Sequence, residues 1–223
     1  MTALPPPDAA ERDFLLECVG GDRLEPFLAL CARYGELLYE TNESLNLTAI
    51  PPEAYWSKHI CDCVLALRAL PELFADGMRI ADVGCGAGLP AFPLAAARPG
   101  LDVTAIDSRG KKIAFLDRAA SACELANLHP VHARANELAA QEKYRGGFRT
   151  ITARAVAGAP ELVKECRNLL GQGGSLCVFR TESQAADEWP ALTADRRIRA
   201  ERTPEFILPH DAGTRLFLRI RKP

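Results

Sequence analysis

Three alternate glycines, Gly84, Gly86 and Gly88, stand between Asp82-Val83 and Leu89-Pro90, and an aspartate, Asp107, follows nineteen residues after the last of them. Glycines in this spacing remove side chains where the backbone turns tightly, and they let a ligand lie against main-chain N–H groups at the start of a helix. A carboxylate at the end of the next strand accepts hydrogen bonds from the two hydroxyls of an adenine-linked ribose. A dinucleotide fingerprint would set its third glycine three residues after the second; the spacing here is GxGxG, which argues against that class. An adenosine ligand without the dinucleotide spacing points to S-adenosylmethionine, with its charged amino-acid end over the glycine loop near Asp82 and its ribose on Asp107. The plainer reading is a tight turn with Asp107 capping the next helix.

Such residues need a strand, loop and helix frame, and the sequence supplies one. Residues 78–83 read as a buried strand feeding the glycines, followed by a helix over 89–98, a strand at 101–107, a helix at 111–125 and strands at 130–133 and 150–156. A helix over 160–170 and a strand at 175–180 complete the alternation, which predicts an α/β fold with a mostly parallel sheet covered on both faces. A further helix starts near Glu182, and strands near 198–208 and at 215–221 are joined by a turn at 210–213 too short for anything but antiparallel pairing. Ahead of the sheet, residues 9–19 and 24–45 carry helical apolar stripes, Asp22 with Glu25 marks a helix start, and a third helix is expected over 53–70. The expected organisation is a loose Pro-rich tail at 1–8, an N-terminal helical region at 9–76 packed on the main domain, and the main domain at 77–223.

The 223 residues, 48% hydrophobic and 25% charged, describe a globular chain, not a disordered or fibrous one. Neither a membrane-spanning stretch nor a signal-peptide pattern is present, and the expected location is cytoplasmic. Eight cysteines without a CxxC pair read as reduced thiols, so no metal site is expected. Charge is uneven: residues 1–76 hold 5 Lys/Arg against 13 Asp/Glu, whereas 77–223 hold 22 against 16, for a total of -2. A basic second part hints at a polyanionic partner; two differently solvated surfaces is the equal alternative.

Taken together, Asn46-Leu47-Thr48, His59-Ile60-Cys61-Asp62, Asp82 to Pro90, Asp107-Ser108-Arg109-Gly110-Lys111-Lys112 and Arg154-Ala155-Val156-Ala157 resemble the bacterial small-subunit rRNA guanine-N7 methyltransferase family, RsmG, also called glucose-inhibited division protein B. The resemblance runs from about residue 24 to the C-terminus. It implies a class I, Rossmann-like S-adenosylmethionine-dependent methyltransferase with an N-terminal helical cap, acting on N7 of one guanine in 16S rRNA. By matching motif it implies that Gly84, Leu89 and Ser108 border the cofactor, that Ala135 and Asn136 fall at the adenine, and that Arg154 lines the site. The implied partner is 16S rRNA within the 30S subunit or an assembly intermediate, met by a monomer. The sequence departs from the family at Cys85, Ala87, Ala91 and Cys63, and at Phe179-Arg180-Thr181 where the family usually has Leu-Lys-Gly.

Guanine N7 carries a lone pair and no proton, so no acid–base catalyst is expected; alignment and desolvation suffice. Positioning candidates are Asn46, His59, Asp62, Arg154 and Arg180. Each has a plainer reading: Asn46 turns the chain after a long helix, and His59 with Asp62, three apart on a helix, form a surface pair or a helix-to-domain hydrogen bond. The histidines of His129-Pro-Val-His132 read as surface or core residues. Arg109, Lys111, Lys112, Arg118, Arg145, Arg149, Arg196, Arg197, Arg199 and Arg202 are candidate phosphate contacts or simply a solvated face. Competing functions are a small-molecule methyltransferase, a non-catalytic binding module and a nicotinamide oxidoreductase.

Overall fold

A computed structural model describes residues 4–222. Two helices, α1 (Ala9–Val19) and α2 (Gly21–Leu45), lead into a short 3-10 turn (Pro52–Ala54), a π-helical stretch (Trp56–Cys61) and α3 (Asp62–Ala69). Then come β1 (Arg79–Val83), α4 (Ala91–Ala97), β2 (Asp102–Asp107), α5 (Gly110–Ala122), β3 (Leu128–His132), α6 (Ala135–Leu138), β4 (Phe148–Arg154) and α7 (Ala159–Cys166). The chain closes with β5 (Leu170–Arg180), α8 (Glu182–Ala194), β6 (Arg199–Arg202), β7 (Phe206–Ile207) and β8 (Thr214–Arg221).

The strands form one sheet in the order β3-β2-β1-β4-β5-β8-β6, with β7 paired to β8. Strands β1 to β5 run parallel, while β8 is antiparallel to β5, β6 and β7. The mostly parallel sheet with an antiparallel C-terminal strand is the expected architecture. Alternation along the strands divides the core. Ile80, Val103, Cys177 and Phe217 join the side packed by α1 to α5, whereas Ala81, Ile151, Val178 and Leu218 join the side packed by α6 to α8. The N-terminal helices are thus a packing layer on one face of the sheet, continuous with its core from Leu15 through Phe92 to Phe217.

Several local expectations change. Residues 1–3 of the expected tail lie outside the described residues, but residues 4–8 are docked: Trp56 Nε1 donates to the Pro5 carbonyl at 2.8 Å, and Leu4 packs on the core. Asp8 forms a reciprocal capping box with Glu11, which starts α1, and its carboxylate meets His210 Nε2 at 2.8 Å. Asp22 caps nothing, because α2 already begins at Gly21, one residue after the turn at Gly20. The helix expected over 53–70 is three consecutive segments, and that expected over 160–170 ends at Cys166. There β5 starts early, at Leu170, pairing with Phe148 before a register slip carries the ladder to Thr150 and Ser175. The strand expected at 198–208 is broken around Pro204, which cannot donate to a ladder, into β6 and β7.

Candidate functional site

Strand order reverses beside β1, whose neighbours β2 and β4 lie on opposite sides, and open α/β sheets bind ligands outside the carboxyl ends of strands at such a point. A cleft of ≈ 300 Å³ opens there, lined among others by Gly84, Gly86, Asp107, Ser108, Asn136 and Val156. The loop from Gly84 to Gly88 is held from below by β2, since the N–H groups of Gly84 and Cys85 both donate to the Ile106 carbonyl, at 2.8 and 3.1 Å. It is held from the helical layer by Tyr34 of α2, whose buried hydroxyl donates to the Ala87 carbonyl at 2.9 Å while its ring stacks on Phe92, centroids 4.2 Å apart.

The glycines divide their work. At Gly88, with φ +99°, a Cβ would lie 2.3 Å from Leu116 of α5, so this glycine serves the packing of loop on helix. At Gly84, with φ +71°, a Cβ would lie 2.7 Å from Val156. Gly86 is different: a Cβ there would meet only Lys112 Nζ, at 3.6 Å, so the missing side chain leaves room in the cleft.

Asp107 accepts from the Gly86 N–H at 2.9 Å through Oδ2 and from the Arg109 N–H at 2.8 Å through Oδ1. A carboxylate offers about four lone-pair sites, so both oxygens retain acceptor capacity for two vicinal hydroxyls. Those residues therefore fit an adenosyl ligand: open backbone at Gly86, a carboxylate fixed by two amides at Asp107, and Ala135 and Asn136 on the same lining.

Of the residues expected at the cofactor, Gly84, Gly86, Asp107, Ser108, Ala135 and Asn136 line this cleft. Asp82, Gly88, Leu89 and Arg154 are not among its lining residues. Asp82 is 1% exposed, and its two oxygens accept from Thr152 Oγ1 at 2.8 Å and from the Ala91 N–H at 3.2 Å. It clamps the start of α4 to β4 and is not offered to a ligand. Burial pushes its carboxyl up to about 7, against the hydrogen bonds from Thr152 and Ala91, which lower it.

Three of the positioning candidates, His59, Asp62 and Arg154, form a separate group beside the cleft. Asp62 is buried and accepts from Arg154 Nε at 2.8 Å and, through both oxygens, from Arg215 at 2.6 and 3.0 Å. Arg154 also reaches the Lys58 carbonyl at 3.0 Å and Cys63 Sγ at 3.4 Å, so the helical layer grips the end of β4 immediately before the cleft residues Ala155 and Val156. The helix-to-domain reading of Asp62 is the one seen. His59 is buried, shares a hydrogen bond of 2.8 Å with Thr48 Oγ1, and has a buried Nδ1 without a partner among the described residues. Burial, helped by the Arg154 charge and opposed by Asp62, pulls its imidazole down to about 3, so it is neutral at physiological pH.

Asn46 ends α2 in the left-handed region, φ 48°, as a turn residue on the surface. Arg180 does not enter the cleft: its Nε pairs with Glu188 at 2.9 Å, Nη1 donates to the Phe179 carbonyl and Nη2 to the Ala157 carbonyl at 2.7 Å. It instead anchors the far end of the loop after β4, where Ala155 sits at φ 53°. His129 and His132 are exposed; His129 has an acidic companion, Asp102 at 3.3 Å, that the sequence pattern did not disclose. Tyr34, Thr48, Glu188 and Arg215 were missed as individual site-supporting residues, and only Thr48, inside the Asn46-Leu47-Thr48 motif, carried any signal.

A family model described as rRNA small subunit methyltransferase G matches residues 28–208. The chain belongs to this family. Curated relatives of that name include one from Pediococcus pentosaceus, 40% identical over 165 residues, covering 72% of this chain and 68% of the relative. Another, from Geobacillus kaustophilus, is 37% identical over 198 residues, covering 87% and 82%. Among solved structures, an O-methyltransferase from Bacillus cereus in complex with SAH superposes with TM-score 0.57 at 15% identity, covering 85% of this chain and 90% of that one. TrmN from Thermus thermophilus gives TM-score 0.56 at 19% identity, covering 75% and 53%. These two carry the fold alone, the class I methyltransferase architecture seen here.

Proposed function

We propose that this family member transfers a methyl group from S-adenosylmethionine to N7 of one guanine in a loop of 16S rRNA, with the cleft beside Asp107 as the cofactor seat. Membership of the family makes the chain an S-adenosylmethionine-dependent methyltransferase of small-subunit rRNA; the residue roles and the subunit context are the proposal. The observation that carries them is Asp107 at the strand-order reversal, its carboxylate fixed by the amides of Gly86 and Arg109.

The bound cofactor supplies an electrophilic methyl on a sulfonium. The chain's residues supply position. Asp107 takes the ribose hydroxyls, Ala135 and Asn136 border the adenine, and the open backbone at Gly86 receives the amino-acid end. Arg154 and Arg180 act on the loop between them, the first held by Asp62 at its start and the second holding the Ala157 carbonyl at its end. That loop places Val156, an exposed large apolar side chain, on the lining of the cleft. The attacking N7 has no proton to lose, so a neutral His59 and a buried Asp82 need not act as bases.

N7 lies in the major groove, which side chains cannot enter in A-form RNA, so the target guanine is unpaired or flipped. No helix among the described residues is long and apolar enough to cross a membrane. The test is digestion of RNA labelled by the enzyme from methyl-labelled S-adenosylmethionine and chromatography of the nucleosides. Label in 7-methylguanosine supports the reading; label in another methylated nucleoside removes N7 as the target.

A further inference from the structure

At the opposite end of the sheet from the cofactor cleft lies a larger groove, ≈ 670 Å³, whose walls are the ends of α7 and α8, the start of β5 and the end of β8. Five of its lining residues are cationic, Lys164, Arg167, Arg197, Arg221 and Lys222, and its floor is apolar, with Leu170, Leu176 and Ile220. Its one carboxylate, Asp195, is already taken by Arg197, at 2.8 and 2.9 Å. Arg221 pairs with Glu201 outside the lining, whereas among the described residues Lys164, Arg167 and Lys222 form no ion pair.

The positive charge continues past the rim. The Gly146 N–H donates to the carbonyl of Asn168, a wall residue, at 2.9 Å, which brings the exposed Arg145 alongside. Arg149, exposed at the entry of β4, lies across the Gln172 carbonyl at 2.8 Å. On the other lip Arg196 and Arg199 are exposed next to Arg197. A chain of net charge -2 therefore concentrates cations at the amino ends of its parallel strands, away from the acidic helical layer.

We propose that this groove is a second docking surface, for the phosphodiester backbone of the RNA substrate, separated from the cofactor cleft by α7, whose Lys164 lines the groove and whose Glu165 lines the cleft. The proposal rests on the rRNA substrate reading and deepens it. Phosphates are the complementary charge for unpaired lysines and arginines, and each neutralised phosphate releases counterions, so binding carries a salt dependence of about 0.7–0.9 per contact in the logarithmic slope.

The experiment compares the intact protein with K164E/R167E/K222E for affinity to naked 16S rRNA and to 30S subunits across a salt series. S-adenosylhomocysteine affinity, measured in parallel, reports that the cofactor cleft is folded. A control reversal, R23E/R33E, places the same kind of change on the acidic helical layer. We expect the triple variant to bind RNA at least tenfold more weakly at low salt with a shallower slope, by about two, while the control and the S-adenosylhomocysteine affinity stay close to wild type. Unchanged RNA affinity and slope overturn the proposal. So does weaker binding to 30S subunits with unchanged binding to naked RNA, which would assign the groove to a ribosomal protein. Failure of the wild-type protein to bind or methylate any 16S rRNA would defeat the substrate reading itself, and this outcome is separable from the others.

Discussion

Asp62, 1% exposed on the first turn of α3, receives Arg154 Nε from the end of β4 at 2.8 Å and so fixes the residue that precedes the cleft loop. Arg215 of β8 shares the same carboxylate. One buried anion thus ties three elements that are far apart in sequence, and two guanidiniums balance it.

Asp62→Asn keeps the shape but leaves both arginines without their charge partner. Removing one member of a buried pair costs about 3–5 kcal/mol. Partial solvent access at Arg154 and Arg215 lowers the expected loss to about 2–3 kcal/mol, a drop in melting temperature of roughly 4–12 °C for a chain of this size. Thermal unfolding followed by circular dichroism checks it. A variant as stable as wild type would mean the pair contributes nothing net.

Tyr34→Phe removes a hydroxyl and nothing else. The Ala87 carbonyl it served is in a buried loop, and an unsatisfied buried acceptor costs about 1–3 kcal/mol. Because that loop forms the cofactor side of the cleft, calorimetry with S-adenosylhomocysteine should show affinity reduced by about three- to thirtyfold. Equal affinity would remove the helical layer from any part in shaping the glycine loop.

Gly88→Ala sets a Cβ against Leu116 and forces an L residue into positive φ. The two effects together predict about 2–4 kcal/mol of destabilisation. Making room with Leu116→Ala in the same chain should not restore stability fully, since the backbone strain remains. Full restoration in urea titrations would show that the contact alone explains the glycine.

Stability should depend on pH through two groups of opposite sign. His59 is depressed to about 3 from an unfolded value of 6.5, so the unfolded chain takes up a proton that the folded chain refuses. Stability is therefore full above pH 6.5 and falls as the pH drops toward 3. Asp82 is raised from 3.8 to about 7, so its contribution is present below pH 3.8 and is lost as the pH rises through 7. His59→Gln should flatten the acidic fall, and Asp82→Asn should flatten the loss toward neutrality, in urea unfolding between pH 4 and 8. An acidic limb as steep in His59→Gln as in wild type would assign the effect elsewhere.

The sheet and the cofactor cleft were legible because their signals are local. A glycine spacing and an aspartate at the end of the next strand lie within one strand, loop, helix and strand unit, and the structure brings Gly84, Gly86 and Asp107 together at one opening. The supporting residues were not legible, because their partners are distant: Arg215 meets Asp62 across 153 residues, and Tyr34 meets Ala87 across 53. Arg180 looked like a substrate-facing cation in sequence, and only its partner Glu188, on the next helix, reveals a loop anchor. The Pro-rich start concealed the Asp8 and Glu11 capping box, while Asp22 and Glu25 carried the same pattern without using it. Composition weighed charge over whole segments and so diluted the cations that gather around Arg167 and Lys222.

The central claim is methyl transfer to 16S rRNA from a cofactor seated on Asp107. The direct measurement offers methyl-labelled S-adenosylmethionine with 30S subunits, naked 16S rRNA, tRNA and a small-molecule extract in parallel, to wild type and to Asp107→Ala. Label is expected at N7 of a single guanine in 16S rRNA, at least tenfold reduced in the variant while circular dichroism shows it folded. Label confined to tRNA or to the extract, or full activity in Asp107→Ala, would contradict it.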